Sequence, residues 1–130
     1  MAISTYAGNL VLDWLLSTAS ATRPTAWYLS LHVGAPGLTG ANELTTGTDA
    51  GYVRKSITFA AAASLAKASN AGVTWTADVA ATTYIITHIG IWDALTTGNF
   101  LSGGALAVPE TIVASGTFNL STGRAIATIT

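Results

Sequence analysis

The stretch Thr87-His88-Ile89-Gly90-Ile91-Trp92-Asp93, continuing through Ala94 to Gly98 and on to Asn99-Phe100-Leu101, constrains the fold more than any other part of the chain. Tyr84 to Asp93 is apolar, β-branched and aromatic, the composition of a central strand. Thr96-Thr97-Gly98-Asn99 forms a turn in which glycine supplies a positive φ, and Phe100 to Val108 returns as the next strand. Asp93, just before the turn, is placed to accept backbone N–H bonds. Pro109 ends the returning strand or marks a sheet edge.

The same rhythm extends in both directions. Trp27 to Val33 alternates, with Trp27, Leu29, Leu31 and Val33 on one face and Tyr28, Ser30 and His32 on the other. Tyr52 to Phe59 is a further strand, with Val53, Ile57 and Phe59 opposite Tyr52, Arg54, Ser56 and Thr58. Val73 to Thr76, Glu110 to Val113, Phe118 to Leu120 and Arg124 to Ile129 are short strands, punctuated by Asn70-Ala71-Gly72, Ser115-Gly116 and Thr122-Gly123. Ala60 to Ala68 is read as an irregular link despite its alanines. The spacing predicts one mainly-β domain over residues 1–130, an antiparallel sandwich of jelly-roll type. A short helix over 4–17 precedes it. Ser4 caps this helix, and Val11, Trp14 and Leu15 fall on one face, widened by Leu12 and Leu16. Amphipathic helices usually serve their own core, so the stripe is expected to pack on the domain itself. The long polar loop 34–51 is the best candidate for a contact arm.

Charged residues make up only 8% of the chain, against about 25% in typical soluble domains, and mean hydropathy is +0.50. So few charges suit a protein packed against neighbours, including copies of itself. A net charge of -1, with Arg54-Lys55 the sole adjacent basic pair, argues against nucleic-acid binding and against a polybasic membrane patch. With no cysteine there is no disulfide, zinc thiolate site or cysteine nucleophile. The first residues lack a basic, signal-like start, and Asp13 interrupts the apolar run Leu10 to Leu16, so synthesis in a host cytoplasm is expected.

No catalytic, metal or cofactor site is expected. His32 and His88 lie in strands without ligand spacing. His32 falls opposite Leu29 and Leu31 and is expected to face solvent or an interface. No nucleophile–base set and no phosphate-binding glycine loop is present. Trp14, Trp27, Trp75 and Trp92 each sit in an apolar pattern that reads as core. Exposed in a row, they would instead offer sugar-stacking faces.

The order of Trp27-Tyr28-Leu29-Ser30-Leu31, Gly34-Ala35-Pro36, Gly51-Tyr52-Val53-Arg54-Lys55, Ile57-Thr58-Phe59, the 87–101 hairpin, Gly104-Ala105-Leu106, Pro109, Thr111 and Ser115-Gly116 resembles small bacteriophage virion proteins of the tail-fibre-like or capsid decoration type. Thr117 departs from that pattern, which leads one to expect an acidic residue there. The resemblance implies a decoration or cement protein on the capsid exterior. Such a protein would bind the major capsid protein across subunit joints and stabilise the assembled state by mass action and multivalency. The alternative is a tail-associated module contacting tail proteins or a host glycan. The candidate interface comprises Val11, Trp14 and Leu15 on the helix, Leu38, Asn42, Glu43 and Leu44 in the loop, and Tyr52 and Arg54 beside it.

Overall fold

The computed structural model describes residues 1–17 and 20–128. Its strands are β1 (Ala2–Ile3), β2 (Tyr28–His32), β3 (Lys55–Ser56), β4 (Ala66–Ala68), β5 (Val73–Thr76), β6 (Tyr84–Trp92), β7 (Phe100–Ile112), β8 (Thr117–Leu120) and β9 (Ile126–Thr128), with helix α1 (Thr5–Leu16) between β1 and β2. Five strands form one sheet in the order β1-β7-β6-β2-β3, and the antiparallel ribbons β4-β9 and β5-β8 complete the layers. The fold is mainly β, with several antiparallel sheets and one short helix, as the turn spacing predicts.

The first core lies on one face of the five-stranded sheet. Leu29 and Leu31 of β2 stand in register with Ile91 and Ile89 of β6. Val73, Trp75, Phe118 and Leu120 from the β5-β8 ribbon join them, together with Ile57, Tyr84, Ile86 and Ile112. Each fully buried large aliphatic side chain contributes roughly 1.5–3 kcal/mol.

The opposite face is also covered, which single-strand alternation does not reveal. Ser30, His32 and Trp92 are buried there beside Phe100, beneath loop 34–51. His32 is therefore completely buried within its own chain, contrary to the expected position facing solvent or an interface. The loop is no loose arm. Val33 donates to the Asn42 carbonyl and Leu44 to that of Leu31, Gly40 and Ala41 both donate to Pro36, and Leu44 enters the first core. Gly37, Gly40 and Asn42 take the left-handed conformations these reversals require.

Three other elements differ from the sequence reading. Regular pairing within Tyr52 to Phe59 is confined to Lys55–Ser56, and Arg54 is buried while Val53 is partly exposed, because Arg54 turns inward to meet Glu43. The alanine-rich link is a hairpin: Ser64 and Leu65 hold left-handed conformations and Ala66–Ala68 pairs with β9. β7 continues past Pro109 to Ile112, with a register shift against β6 between Ile86 and His88 that accommodates the proline. The predicted strand end at Ile129 lies outside the described residues.

Gly90 sits at the closest approach of the second face. A Cβ there would lie 2.6 Å from His32 Nε2 and 2.7 Å from Ser30 Oγ. Gly90→Ala is expected to lower stability by about 1–3 kcal/mol. Gly8→Ala, in α1 with open space around it, is expected to raise stability by roughly 0.5–1 kcal/mol. Urea unfolding midpoints of the two variants provide the comparison.

Candidate functional site

α1 begins in an ordered way. The Ser4 hydroxyl accepts from the Ala7 N–H at 3.0 Å and donates to the Phe100 carbonyl, while the Ser4 N–H donates to Leu101 at 2.9 Å. These bonds cap the helix and fasten its first turn to β7. Beyond that turn the helix borders the body, with Val11 beside Ile3 and Trp27, but is not buried in it. None of its residues is buried: Val11 is 43% exposed, Leu12 54%, Trp14 72%, Leu15 64% and Leu16 78%. The expectation that this stripe packs on its own domain is overturned, since its large side chains stay substantially exposed.

Beside the helix runs an apolar groove of about 560 Å³, walled by Ile3, Val11, Trp27, Leu65, Ala66 and Ala127 among others. Asp13 is the one charged residue of the helix. The apolar helix and the groove next to it, whose lining is mainly apolar but includes Lys67, Ser64, Ser102 and Thr128, form the strongest candidate surface for assembly.

The other proposed interface residues divide. Leu38 is more than half exposed and Asn42 is exposed, its amide donating to the Ala35 carbonyl at 2.9 Å. Leu44 is in the core and so is not a contact residue of the folded chain. Glu43, Tyr52 and Arg54 form an internal network. Arg54 Nε and Nη2 donate to the two Glu43 carboxylate oxygens at 2.8 and 2.7 Å, and Nη1 donates to the Ala94 and Thr97 carbonyls. Its guanidinium lies 3.7 Å from the Trp92 ring centroid. The Tyr52 hydroxyl donates to Glu43 and accepts from the Leu31 N–H. Burial and the Glu43 carboxylate push this phenol far above its usual range.

The tryptophans expected in the core divide as well. Trp75 and Trp92 are buried, with their indole N–H groups donated to the Val53 carbonyl and to Ser30 Oγ, both at 2.9 Å. Trp27 is partly buried and Trp14 is largely exposed. Neither Trp75 nor Trp92 offers a free face for a sugar ring.

The buried histidine belongs to a chain of hydrogen bonds. His32 Nε2 is 2.8 Å from Ser30 Oγ and its Nδ1 is 2.7 Å from the Ala41 carbonyl. A carbonyl only accepts, so Nδ1 carries the proton and Nε2 accepts from Ser30. Both ring nitrogens are thus engaged. His88 lies opposite His32 in register and is 2.8 Å from Thr87 Oγ1. Among the described residues, no three His, Asp or Glu side chains gather as metal ligands. Asp93 holds the 93–99 turn, accepting from the Asn99 N–H and side-chain amide.

A family model described as "Podophage GP4 fiber I protein gp80" matches residues 2–128. The chain belongs to this family. It is accordingly a small phage virion structural protein. The matched span takes in α1 as well as the β layers, so the unburied helix is part of the family's domain. No curated protein matches the chain. No helix among the described residues is long and apolar enough to cross a membrane. The burial of His32 and the unburied helix face, both missed by periodicity, depend on which elements cover a face, and one strand or helix does not encode that.

Two predictions follow from the internal network. Arg54→Ala is expected to cost about 3 kcal/mol, the low end for breaking a buried pair, because Glu43 keeps some contact with water; urea unfolding measures it. The second concerns pH. Burial lowers the His32 pKa below its ordinary value, against the Ala41 carbonyl and Glu43. The unfolded chain therefore protonates first, and stability falls as pH drops below about 6.5. Burial of Asp49 would raise its pKa, but the Asp78 N–H, the Tyr84 hydroxyl and the Gly51 N–H outweigh it and hold the carboxyl below the usual range. That contribution is present above about pH 4 and is lost as pH falls further. Unfolding midpoints followed across this range should show both declines, and Asp49→Asn should flatten only the second.

Proposed function

We propose that this chain is a non-catalytic subunit of a phage fibre assembly. It attaches through its apolar N-terminal helix and presents the β layers as a rigid body. One observation carries this reading: the second half of α1 is almost wholly large and apolar, yet none of it is buried. Left in water, that surface is an association site, since burying it against a partner yields roughly 25 cal/mol per Å². The fibre location is taken from the wording of the matched family's description, "fiber I protein". A structural role is supported by the internal use of the groups otherwise suited to chemistry. Ser30 and His32 are buried and bonded, and Arg54 is committed to Glu43 and to two carbonyls. Binding energy in such a role comes from area and copy number, with many modest contacts summed along the particle.

Immunogold labelling of intact virions tests the reading. Gold confined to fibres is the expected result. Gold spread over the head would overturn it in favour of a capsid decoration protein bridging the major capsid protein.

A further inference from the structure

Away from the helix, a second surface gathers polar groups that the fold itself does not use. Most acids of this charge-poor chain are spent internally: Glu43 on Arg54, Asp49 and Asp78 on backbone N–H groups, and Asp93 on Asn99. Glu110 is an exception. It lines a cleft of about 260 Å³ together with Arg124, Asn119 and Ser121, beside the buried Phe118 and Leu120. Among the described residues, the Glu110, Ser121 and Arg124 side chains make no hydrogen bond or ion pair. A carboxylate and a guanidinium thus line one small cleft without closing on each other. Asn119 Oδ1 accepts from Thr74 Oγ1 at 3.4 Å, which leaves its amide N–H groups to donate. An adjoining cavity of about 350 Å³ shares Leu106, Ala107, Leu120 and Arg124, adds Ile89 and Ile126, and is apolar in its side chains apart from Arg124. No residue of α1 lines either cavity. We propose that the two cavities together bind one sugar residue bearing an acetamido group, an N-acetylated hexosamine.

The framework of the site is fixed although its polar side chains are free. Between the pairs His88–Ala105 and Ile86–Glu110, β6 spends one residue, Thr87, and β7 spends Leu106 to Pro109, so β7 bulges there. The bulge supplies Leu106 and Ala107, a wall common to both cavities. Arg124 sits in a turn tied to the body. Gly123, with a φ of 78°, donates its N–H to the Ser69 carbonyl at 2.9 Å and to Ser69 Oγ at 3.1 Å, and the Arg124 N–H donates to the Ser121 carbonyl at 3.2 Å. Ser69 and Ala125 are buried. A set backbone with unspent donors and acceptors lowers the cost of ordering on binding. The ligand's chemistry follows from these groups. Glu110 only accepts, Arg124 only donates, and Ser121 does both. A simple anion would meet Glu110 and a simple cation Arg124, each a like-charge contact. Adjacent ring hydroxyls offer donors and acceptors side by side and satisfy the whole set. Arg124 lines both cavities, so a carbonyl that accepts from it stands at their junction. An acetamido group places its carbonyl there and its methyl among Leu106, Leu120 and Ile126. Apolar lining with a few placed polar groups is the usual make-up of a small-molecule site. The inference goes beyond the fibre-subunit reading and does not depend on it.

The test is a titration of the purified, isotope-labelled full chain followed by amide NMR shifts. N-acetylglucosamine and N-acetylgalactosamine are the probes, and glucose and galactose the controls. Saturable shifts at millimolar concentration are expected with at least one probe, confined to the β7 bulge, β8 and the 121–124 turn. The matching control is expected to bind on the order of 10-fold more weakly, the discrimination an apolar pocket gives a small substituent. Arg124→Ala removes the donor at the junction, and Ala107→Trp fills the common wall. Both positions are exposed and neither side chain has a hydrogen-bond partner. Each variant is expected to weaken binding by about 10-fold or more, the effect of losing a charged hydrogen bond or of a blocked cavity, with the rest of the amide spectrum unchanged. No saturable shift with either probe, equal binding of probe and control, shifts confined to another face, or binding indifferent to both variants would each overturn the proposal. Soluble peptidoglycan fragments and the delipidated carbohydrate of lipopolysaccharide, titrated separately, distinguish two sources of such a sugar. Whichever reproduces the shifts names the source, and shifts from neither overturn the proposal. Because α1 takes no part, the outcome is read independently of where immunogold places the protein.

Discussion

Arg54 is the point on which three separate stretches of chain depend. Its guanidinium spends four of five donors, two on Glu43 of the long loop and two on the Ala94 and Thr97 carbonyls of the turn that follows β6. Its flat face rests on Trp92, at the end of β6. A lysine would supply charge without the fork or the planar stack. Desolvating the pair offsets much of its Coulomb attraction, so its chief effect is positional. It holds loop 34–51 against the sheet and the 93–99 turn against the loop, in a chain that keeps few charges anywhere.

Because the loop is held, the sheet acquires a second buried face, and that face is polar. Trp92 donates to Ser30, Ser30 to His32, and His32 to the Ala41 carbonyl, so each donor is used and the imidazole tautomer is set by the bonding. The arrangement superficially has the members of a hydrolytic pair, serine beside histidine, yet every group is committed and closed to water. Satisfied buried networks of this kind specify one packing and are costly when incomplete. Gly90 and Gly103 let the strands approach closely enough for it to close, since a Cβ at either would meet Phe100 at under 3 Å.

Local signals in the sequence corresponded to local structure. Ser4 caps α1, Val73–Thr76 is a strand, Asp93 holds its turn, and Gly98 has positive φ. The failures lay where a neighbour decides. Alternation in Trp27 to Val33 separated two faces but assigned solvent or an interface to the one that loop 34–51 covers. The amphipathic stripe on 4–17 was legible, while its lack of an intramolecular partner was not, because that depends on the ribbons having already closed the first core. Ala60 to Ala68 gave no turn signal, since Ser64 and Leu65 occupy positions usually taken by glycine or asparagine. Of the exposed apolar surface, the helix stripe Val11, Trp14 and Leu15 was identifiable from spacing alone. The groove was not, being assembled from Ile3, Trp27, Leu65 and Ala127, which are far apart in sequence.

The contrast between body and helix bears on how assembly is coupled to order. A helix of twelve residues is marginal in water by itself and draws its stability chiefly from packing. α1 packs principally against β7 and is anchored at its first turn through Ser4, while its second half has little of its own domain to lean on. Burial of Leu12, Leu15 and Leu16 in a partner, as proposed, would supply the packing the helix lacks. The gain from that burial is shared between association and helix stability. Contacts made this way are strengthened where many copies are held close together, because the cost of bringing the partners together is then met once by the assembly. A low-charge chain with a rigid, internally satisfied body and one unsatisfied apolar helix fits that regime, in which the particle supplies the local concentration and the helix supplies the contact.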